Sequence, residues 1–575
     1  MPLFINEVIL SEISWQGFER LLNRLLILLN YSSVRLVGQS ADGGADLIAH
    51  KQGKRWLFQA KKWESKVGLS TVDKTLSALV KYHADVPVIV ASSGFDSKVI
   101  PQRLKLQRQG IPLQLWDQSK LLQLAQSISL DPGSQFVLRD YQAAAVRAIY
   151  DSFVDDHRRK GMVVLATGLG KTFVAAEAVR RISQGQPGLR VLVLAHTNDL
   201  VYQLERSFWP LLTPLQDTAV WNGLERPSRD RAQHASVIFG TIQSLALIDD
   251  IVDALGPLDL VIVDECHHAG SSTYSALLER LEASKPNGPY LLGLTATPWR
   301  ADSIDLIEIF GKPLIVVDLV TGLKRGFLTN VDYRMFTDNI DWENLRKLPN
   351  QQLSPKQVNR TLFIDQWDDA VVDALQSTWA EVMNPRAIVF CGTIDHAATM
   401  RDRINARRFA KAEAIFSTAF RGVKLSPVER NRILSDFSAQ RLDIICAVDI
   451  FNEGIDVPDV NILVFQRVTH SRRIFIQQLG RGLRLSEGKS KVIVLDFVSD
   501  IRRFAAGIDL QRQLGSNDSA GALRIALPGV VSFRRLGAVD TEGESFLKEW
   551  LADVAAIEDA GDDASVLKFP PLIRS

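Results

Sequence analysis

Residues 161–172 read Gly161-Met-Val-Val-Leu-Ala-Thr-Gly-Leu-Gly-Lys-Thr172: an apolar run, a glycine-spaced turn, then lysine and threonine. The run Met162 to Leu165 is short and does not alternate, which predicts a strand buried on both faces, as in a parallel sheet. Gly168 and Gly170 let the turn that opens at Thr167 wrap closely around a phosphate. Backbone N–H groups at the start of the next helix then point at the anion. Lys171 is placed to reach the β- and γ-phosphates of a nucleotide and Thr172 to ligate Mg2+. The first glycine of the general phosphate-loop pattern is absent, because position 165 is leucine.

Six further segments flank this one in order: Asp140-Tyr-Gln142, Phe239-Gly-Thr-Ile-Gln243, Asp264-Glu-Cys-His267, Thr295-Ala-Thr-Pro298, Glu453-Gly-Ile-Asp456 and Gln477-Gln-Leu-Gly-Arg-Gly-Leu-Arg484. One such segment is a weak match; an ordered set of seven over more than three hundred residues is specific. With these residues the chain resembles a superfamily 2 helicase of the DEAD/DEAH and type III restriction-subunit kind. The resemblance implies two RecA-like parallel-sheet lobes that use ATP and Mg2+, and such helicases tolerate the leucine at 165.

The resemblance also assigns roles. Val261 to Val263 reads as a buried strand delivering Asp264 and Glu265 at its C-terminal end, where ligands bind in open α/β sheets. Asp264 would hold magnesium through water, and Glu265 would orient and deprotonate the attacking water. His267 would couple the nucleotide to Thr295-Ala-Thr-Pro298. Gln142 matches the glutamine that reads adenine; an ordinary helix start with Asp140 as cap explains the same residues. In the second lobe Gly454 and Asp456 belong to the nucleotide motifs. Gln477, Arg481 and Arg484 lie on neighbouring turns of one helix, and the arginines would stabilise charge on the transferring phosphoryl group when the lobes close. Thr197 and Asn198, Thr241 and Gln243, and Thr393 correspond to motifs that grip nucleic-acid phosphates without reading bases. Each of these five also reads as an ordinary helix cap.

The N-terminal segment has its own pattern. Phe18, Leu21, Leu22, Leu25 and Leu29 fall on one face of a helix expected over 15–29, with Glu19 beside them. A strand over 34–37, the stretch Ala41-Asp-Gly-Gly-Ala-Asp-Leu-Ile48 and a strand over 55–61 follow. This closely resembles the Mrr-like branch of the PD-(D/E)xK nucleases, with Glu19, Asp46, Gln59 and Lys61 as the matched residues. The resemblance implies that Glu19 and Asp46 are oxygen ligands for Mg2+. Lys61, two residues after Gln59 on one strand face, would position water and offset transition-state charge. Glutamine in place of the second carboxylate is normal in that branch. Asp42 is a spare carboxylate; Asp46 is preferred because the strand Leu47 to Ala49 carries it. Two other readings remain open: a generic α/β domain, or a nuclease fold kept only to grip DNA or a partner.

Composition sets the outer limits. A chain of 575 residues, 46% hydrophobic, holds roughly three to four domains. Its apolar runs fall far short of the ~20 residues of a membrane span, and no signal peptide is apparent, so a cytoplasmic location is expected. Cys266, Cys391 and Cys446 lack metal-ligand spacing and read as buried thiols. A net charge of +1 hides a basic front around Lys51 to Lys66 and an acidic tail beyond Asp540.

The expected fold class is therefore α/β: a restriction-endonuclease-like domain (1–130), a first RecA-like lobe (135–335), an inter-lobe segment (336–382), a second lobe (383–500) and a mainly helical C-terminal region (501–575). Leu130-Asp-Pro-Gly-Ser134 reads as a linker. The expected function is an ATP-dependent DNA helicase or translocase coupled to a magnesium-dependent endonuclease in restriction or phage defence, with DNA and defence-system subunits as partners. The competing readings are a DNA-repair helicase whose nuclease-like domain only binds, and an RNA helicase.

Overall fold

The computed structural model describes residues 3–335 with short breaks that include 38–43 and 297–305, residues 365–497 with breaks that include 449–459 and 467–481, and two pairs of residues near 534 and 538. Asp42, Gly454, Asp456, Gln477, Arg481 and Arg484 lie outside the described residues, as does almost all of the region 501–575.

Three sheets organise the chain. The first has five strands in the order β1 (Ser32–Leu36), β2 (Leu47–Lys51), β3 (Lys54–Lys61), β4 (Val86–Ala91) and β5 (Gln114–Trp116). β1 to β3 pair antiparallel and β3 to β5 parallel. Alternation along β3 sends Phe58 into one core and Leu57 into another on the opposite face. Helix α1 (Glu7–Glu12) precedes α2 (Trp15–Leu28), which begins where Ser14 Oγ accepts from the Gly17 N–H at 3.1 Å. α2 buries Phe18, Leu21, Leu22 and Leu25 against Phe58 and the first strands, α3 (Leu69–Lys81) covers the other face, and α4 (Val99–Arg108) and α5 (Gln118–Gln126) follow.

The second sheet has seven parallel strands: β6 (Lys160–Leu165), β7 (Val191–Ala195), β8 (Thr218–Trp221), β9 (Val237–Thr241), β10 (Leu260–Val263), β11 (Tyr290–Thr295) and β12 (Pro313–Val317). Their spatial order is β12-β6-β11-β10-β7-β9-β8. Both faces carry a core, which is why these strands read as unbroken apolar runs. Because every pair is parallel, all C-terminal ends lie along one rim, and the motifs that follow β6, β7, β9, β10 and β11 collect there.

The third sheet is also parallel, in the order Asn330–Met335, Lys491–Asp496, Ile462–Gln466, Ala387–Cys391, Ile444–Val448, Ala412–Phe416. Here the structure departs from the expected boundaries. Asn330–Met335, placed in the first lobe from sequence, pairs over its whole length with Lys491–Asp496 in the second. The helix Asp365–Glu381, expected between the lobes, buries Val371, Val372 and Leu375 in the second lobe's core. The linker also differs: Pro132–Gln135 is a 3-10 turn with Pro132 and Gly133 buried, and Asp131 accepts two hydrogen bonds from Arg180 at 3.0 Å. Proline and glycine marked a turn there, and the turn is packed onto the first lobe rather than free. The three cysteines are buried thiols. No helix among the described residues is long and apolar enough to cross a membrane.

Candidate active sites

The phosphate loop joins β6 to helix α7 (Lys171–Gly185). It turns through Gly168 and Gly170, whose φ angles of +92° and +83° are the reason glycine stands there. No side chain caps α7, so the N–H groups of its first turn are available to an anion. Lys171 Nζ donates to Glu265 Oε1 at 2.8 Å, and both side chains are largely buried. Burial alone would raise the Glu265 carboxyl; the Lys171 ammonium and His267 outweigh it and hold Glu265 far below the usual carboxylate range. Asp264 moves the other way, pushed up by burial and by the neighbouring Glu265 charge. Asp264 Oδ1 is buried, and among the described residues no donor reaches it. A hydrated magnesium ion supplies the donors and positive charge that this oxygen lacks, so the residues present fit the metal.

His267 Nδ1 lies 3.2 Å from Thr295 Oγ1 and 3.3 Å from Glu265 Oε2, so its ring spans the ends of β10 and β11. The His268 ring lies 4.3 Å from that of His267 and 4.8 Å from that of His196, so three imidazoles line up beside the rim. Gln142 is held at both ends of its amide. Its Oε1 accepts from the Arg139 N–H at 3.1 Å at the start of helix α6 (Asp140–Tyr150), so the helix cap is Arg139 and not Asp140. Its Nε2 donates to Leu169 O in the phosphate loop at 3.2 Å.

The residues expected to grip a strand are dispersed in behaviour. Thr197 caps helix α8 (Asn198–Phe208) by accepting from Leu200 N at 3.3 Å, and Thr393 caps Ile394–Arg407 by accepting from His396 N at 3.2 Å. Asn198 Oδ1 accepts from Gly223 N at 3.2 Å, and Gln243 is exposed. Thr241 is buried and donates to Ser244 Oγ at 2.8 Å.

In the first domain, the structure brings Glu19, Asp46 and Lys61 together. Asp46 Oδ2 accepts from the Ala60 N–H at 2.7 Å, which fixes the carboxylate beside the end of β3, and Lys61 Nζ lies 3.6 Å away. Glu19, on α2, is pushed up to about 8, by burial first and by the Asp46 charge second, with Lys61 pulling the other way. Two carboxylates that repel one another in a partly buried site are relieved by a divalent cation. Among the described residues no set of three or more His, Cys, Asp and Glu side chains gathers to hold a metal, and magnesium commonly takes one or two carboxylates with waters and substrate phosphate. Gln59 is buried and its Oε1 accepts from the Thr75 hydroxyl of α3, a partner the sequence did not reveal.

The two domains meet beside this cluster. Arg20, next to Glu19, donates to Glu205 Oε2 of α8 at 2.9 Å and is also paired with Glu225. Arg24, one turn on, is fully buried and donates to the carbonyls of Gln216 at 2.8 Å and Thr213 at 3.0 Å, with its guanidinium 4.1 Å from the centre of the Phe4 ring. Burial holds Arg24 down to about 10.

Three family models match the chain: "Restriction endonuclease" of the Mrr catalytic type over residues 10–125, "Type III restriction enzyme, res subunit" over 135–300, and "Helicase conserved C-terminal domain" over 369–486. The chain is a superfamily 2 helicase core with an N-terminal Mrr-type restriction endonuclease domain. Among curated relatives, the endonuclease subunit of the type I restriction enzyme EcoAI from Escherichia coli is 24% identical over 77% of this chain and 58% of its own length. The DNA 3'-5' translocase XPB2 of Sulfurisphaera tokodaii is 28% identical over 62% of this chain and 80% of that protein. The chain therefore spans just over half the length of the endonuclease subunit it matches. Of solved structures, the ATP-dependent Type ISP restriction-modification enzyme LlaBIII bound to DNA aligns with a TM-score of 0.49 at 17% identity, covering 87% of this chain and 37% of that one.

Proposed function

We propose that this chain is an ATP-driven DNA translocase that cuts DNA with its N-terminal domain in a restriction-type defence system. The observation that carries the reading is the presence, in one chain, of the Lys171–Glu265–His267 rim of the first lobe and a Glu19–Asp46–Lys61 cluster in the N-terminal domain. Bound magnesium would supply charge neutralisation on phosphate oxygens at both sites, held by Thr172 and Asp264 in the motor and by Glu19 and Asp46 in the nuclease.

The chain's own residues do the rest. In the motor, Lys171 and the first turn of α7 bind the β- and γ-phosphates, and Gln142, braced on Leu169, would read the adenine. Lys171 leaves Glu265 Oε1 for phosphate when nucleotide enters, and the freed carboxylate then takes a proton from the attacking water. Arg481 and Arg484 would complete the site from the second lobe. Thr197, Asn198, Thr241, Gln243 and Thr393 would carry the track of phosphates across the two lobes. In the nuclease, Lys61 beside Asp46 holds the attacking water; a phosphodiester P–O bond breaks as that water gives OH to phosphorus and its proton to the leaving oxygen.

One observation favours a second reading. Gln59 is occupied by Thr75, leaving two carboxylates and a lysine, a set that would also serve a domain kept to grip DNA. Plasmid cleavage with magnesium, with and without ATP, separates the two for the native chain, Lys61→Ala and Lys171→Ala. Cutting that needs Lys61 establishes the nuclease, and its dependence on Lys171 shows whether the motor drives it. Persistent DNA-stimulated ATP hydrolysis with no cutting, on methylated plasmid as well, favours the grip.

A further inference from the structure

Tryptophan carries the largest aromatic surface of any side chain, and an exposed indole face is a platform on which another ring can stack. Among the described residues two tryptophans are exposed, Trp15 at 48% and Trp63 at 45%; the others are buried or half-buried. Both border the Glu19–Asp46–Lys61 cluster. Trp15 is four residues before Glu19 on α2, hence on the same face one turn away. Trp63 follows Lys61 by two residues, and the Lys61 ammonium lies 5.8 Å from the centre of its ring.

Their backbones are fixed rather than loose. Ser14 caps the helix at Trp15, the Trp63 carbonyl accepts from Ser92 Oγ at 3.2 Å, and Lys62 Nζ donates to Ser11 O at 3.1 Å, tying the segment after β3 to the one before α2. Lys61, Lys62 and Lys66 interleave with the aromatic surface. Cations spaced among exposed rings beside a phosphodiester-cutting cluster match the chemistry of a single strand, whose unstacked bases present π-faces between phosphates. A continuous duplex hides those faces.

We propose that Trp15 and Trp63 form a base-stacking jaw that admits an unpaired strand to the Glu19–Asp46–Lys61 cluster. The inference rests on the nuclease reading above and names its substrate class.

The test uses the full chain and a single-stranded thymidine oligonucleotide, with a blunt duplex of the same length as control. Intrinsic tryptophan fluorescence should be quenched by the oligonucleotide, and the quench should disappear in Trp15→Phe/Trp63→Phe while binding, followed by anisotropy of a labelled strand, is kept. With magnesium, the native chain should cut the single strand in preference to the duplex. Trp15→Ala and Trp63→Ala should each raise KM about five- to hundredfold, with Phe at either position restoring most of the loss. ATP hydrolysis should be unchanged throughout. Quenching that survives in the double Phe variant, or no quenching by DNA at all, overturns the jaw; so do Ala variants that cut with native KM. If nothing is cut yet the quench is lost in the double variant, the jaw stands and the nuclease reading falls.

Discussion

Arg20 donates to Glu205 at 2.9 Å, in an ion pair whose side chains are 12% and 2% exposed. The contact links the residue after a candidate nuclease ligand to the first-lobe helix that Thr197 caps. Removing one member of such a pair strands the other charge in a poor solvent, a cost of about 3–5 kcal/mol. Arg20→Ala should therefore loosen the domain contact and reduce ATP-dependent cleavage by about tenfold or more, with DNA-stimulated ATP hydrolysis within about twofold of native. Thermal unfolding should separate into two transitions. Unaltered cleavage with a single transition would show that the pair carries no coupling.

Glu265 is held ionised by Lys171, and the two should behave differently when neutralised. Glu265→Gln should lower ATP hydrolysis by about 10²–10⁴-fold while retaining nucleotide binding, as expected of a group that acts on the attacking water. Lys171→Ala should weaken nucleotide binding itself. Fluorescent-nucleotide titration beside steady-state hydrolysis distinguishes them, and equal loss of binding in both would refute the assignment.

Glu19 is raised to about 8, so it is protonated at pH 7 in the metal-free protein, whereas the unfolded chain ionises it near 4.5. Its contribution to stability is fully present below 4.5 and is lost as pH rises through 8. Magnesium needs the carboxylate, so loading at pH 7 should release close to one proton from this site. The magnesium midpoint for cleavage should fall by up to about tenfold per pH unit between 6.5 and 8 and then level. A midpoint that Glu19→Gln leaves with the same pH slope assigns the proton elsewhere.

Arg180 holds Asp131 at 3.0 Å and Glu177 at 2.7 Å, and Arg181 joins Glu177 at 2.8 Å. Although burial opposes it, these guanidinium groups hold the Glu177 carboxyl below its ordinary value. That contribution is present above the unfolded value and is lost as pH falls through the folded one. Limited proteolysis should leave 130–135 intact at neutral pH. Arg180→Ala should expose it, and acid should do so in the native chain; rapid cutting of the native chain at pH 7 would contradict the packed turn.

Much of this was legible because it is local. Met162 to Leu165, Val191 to Ala195 and Val261 to Val263 announce themselves as buried strands by composition, and the motif that follows each sits at the strand's end where a parallel sheet must place it. What escaped was pairing at a distance. Asn330-Val-Asp-Tyr-Arg-Met335 alternates well enough for a strand, but which sheet accepts it is decided by Lys491–Asp496, about 160 residues on. Arg20 and Glu205 are 185 residues apart, and nothing near either names the other. Gln59 shows the same limit at shorter range: its matched position was clear, its hydrogen bond from Thr75 across to α3 was not.

The placement of Asn330–Met335 changes where this protein can be divided. The crossing between the lobes falls between Val317, the last of β12, and Asn330; the strand Asn330–Met335 and the helix Asp365–Glu381 already belong to the second body. A truncated first lobe ending at 335 would carry an orphan strand with an open row of backbone donors and acceptors, an invitation to self-association. A second lobe begun at 383 would lack both that edge strand and the helix Asp365–Glu381 that fills its core. Separately expressed halves should part between 318 and 329.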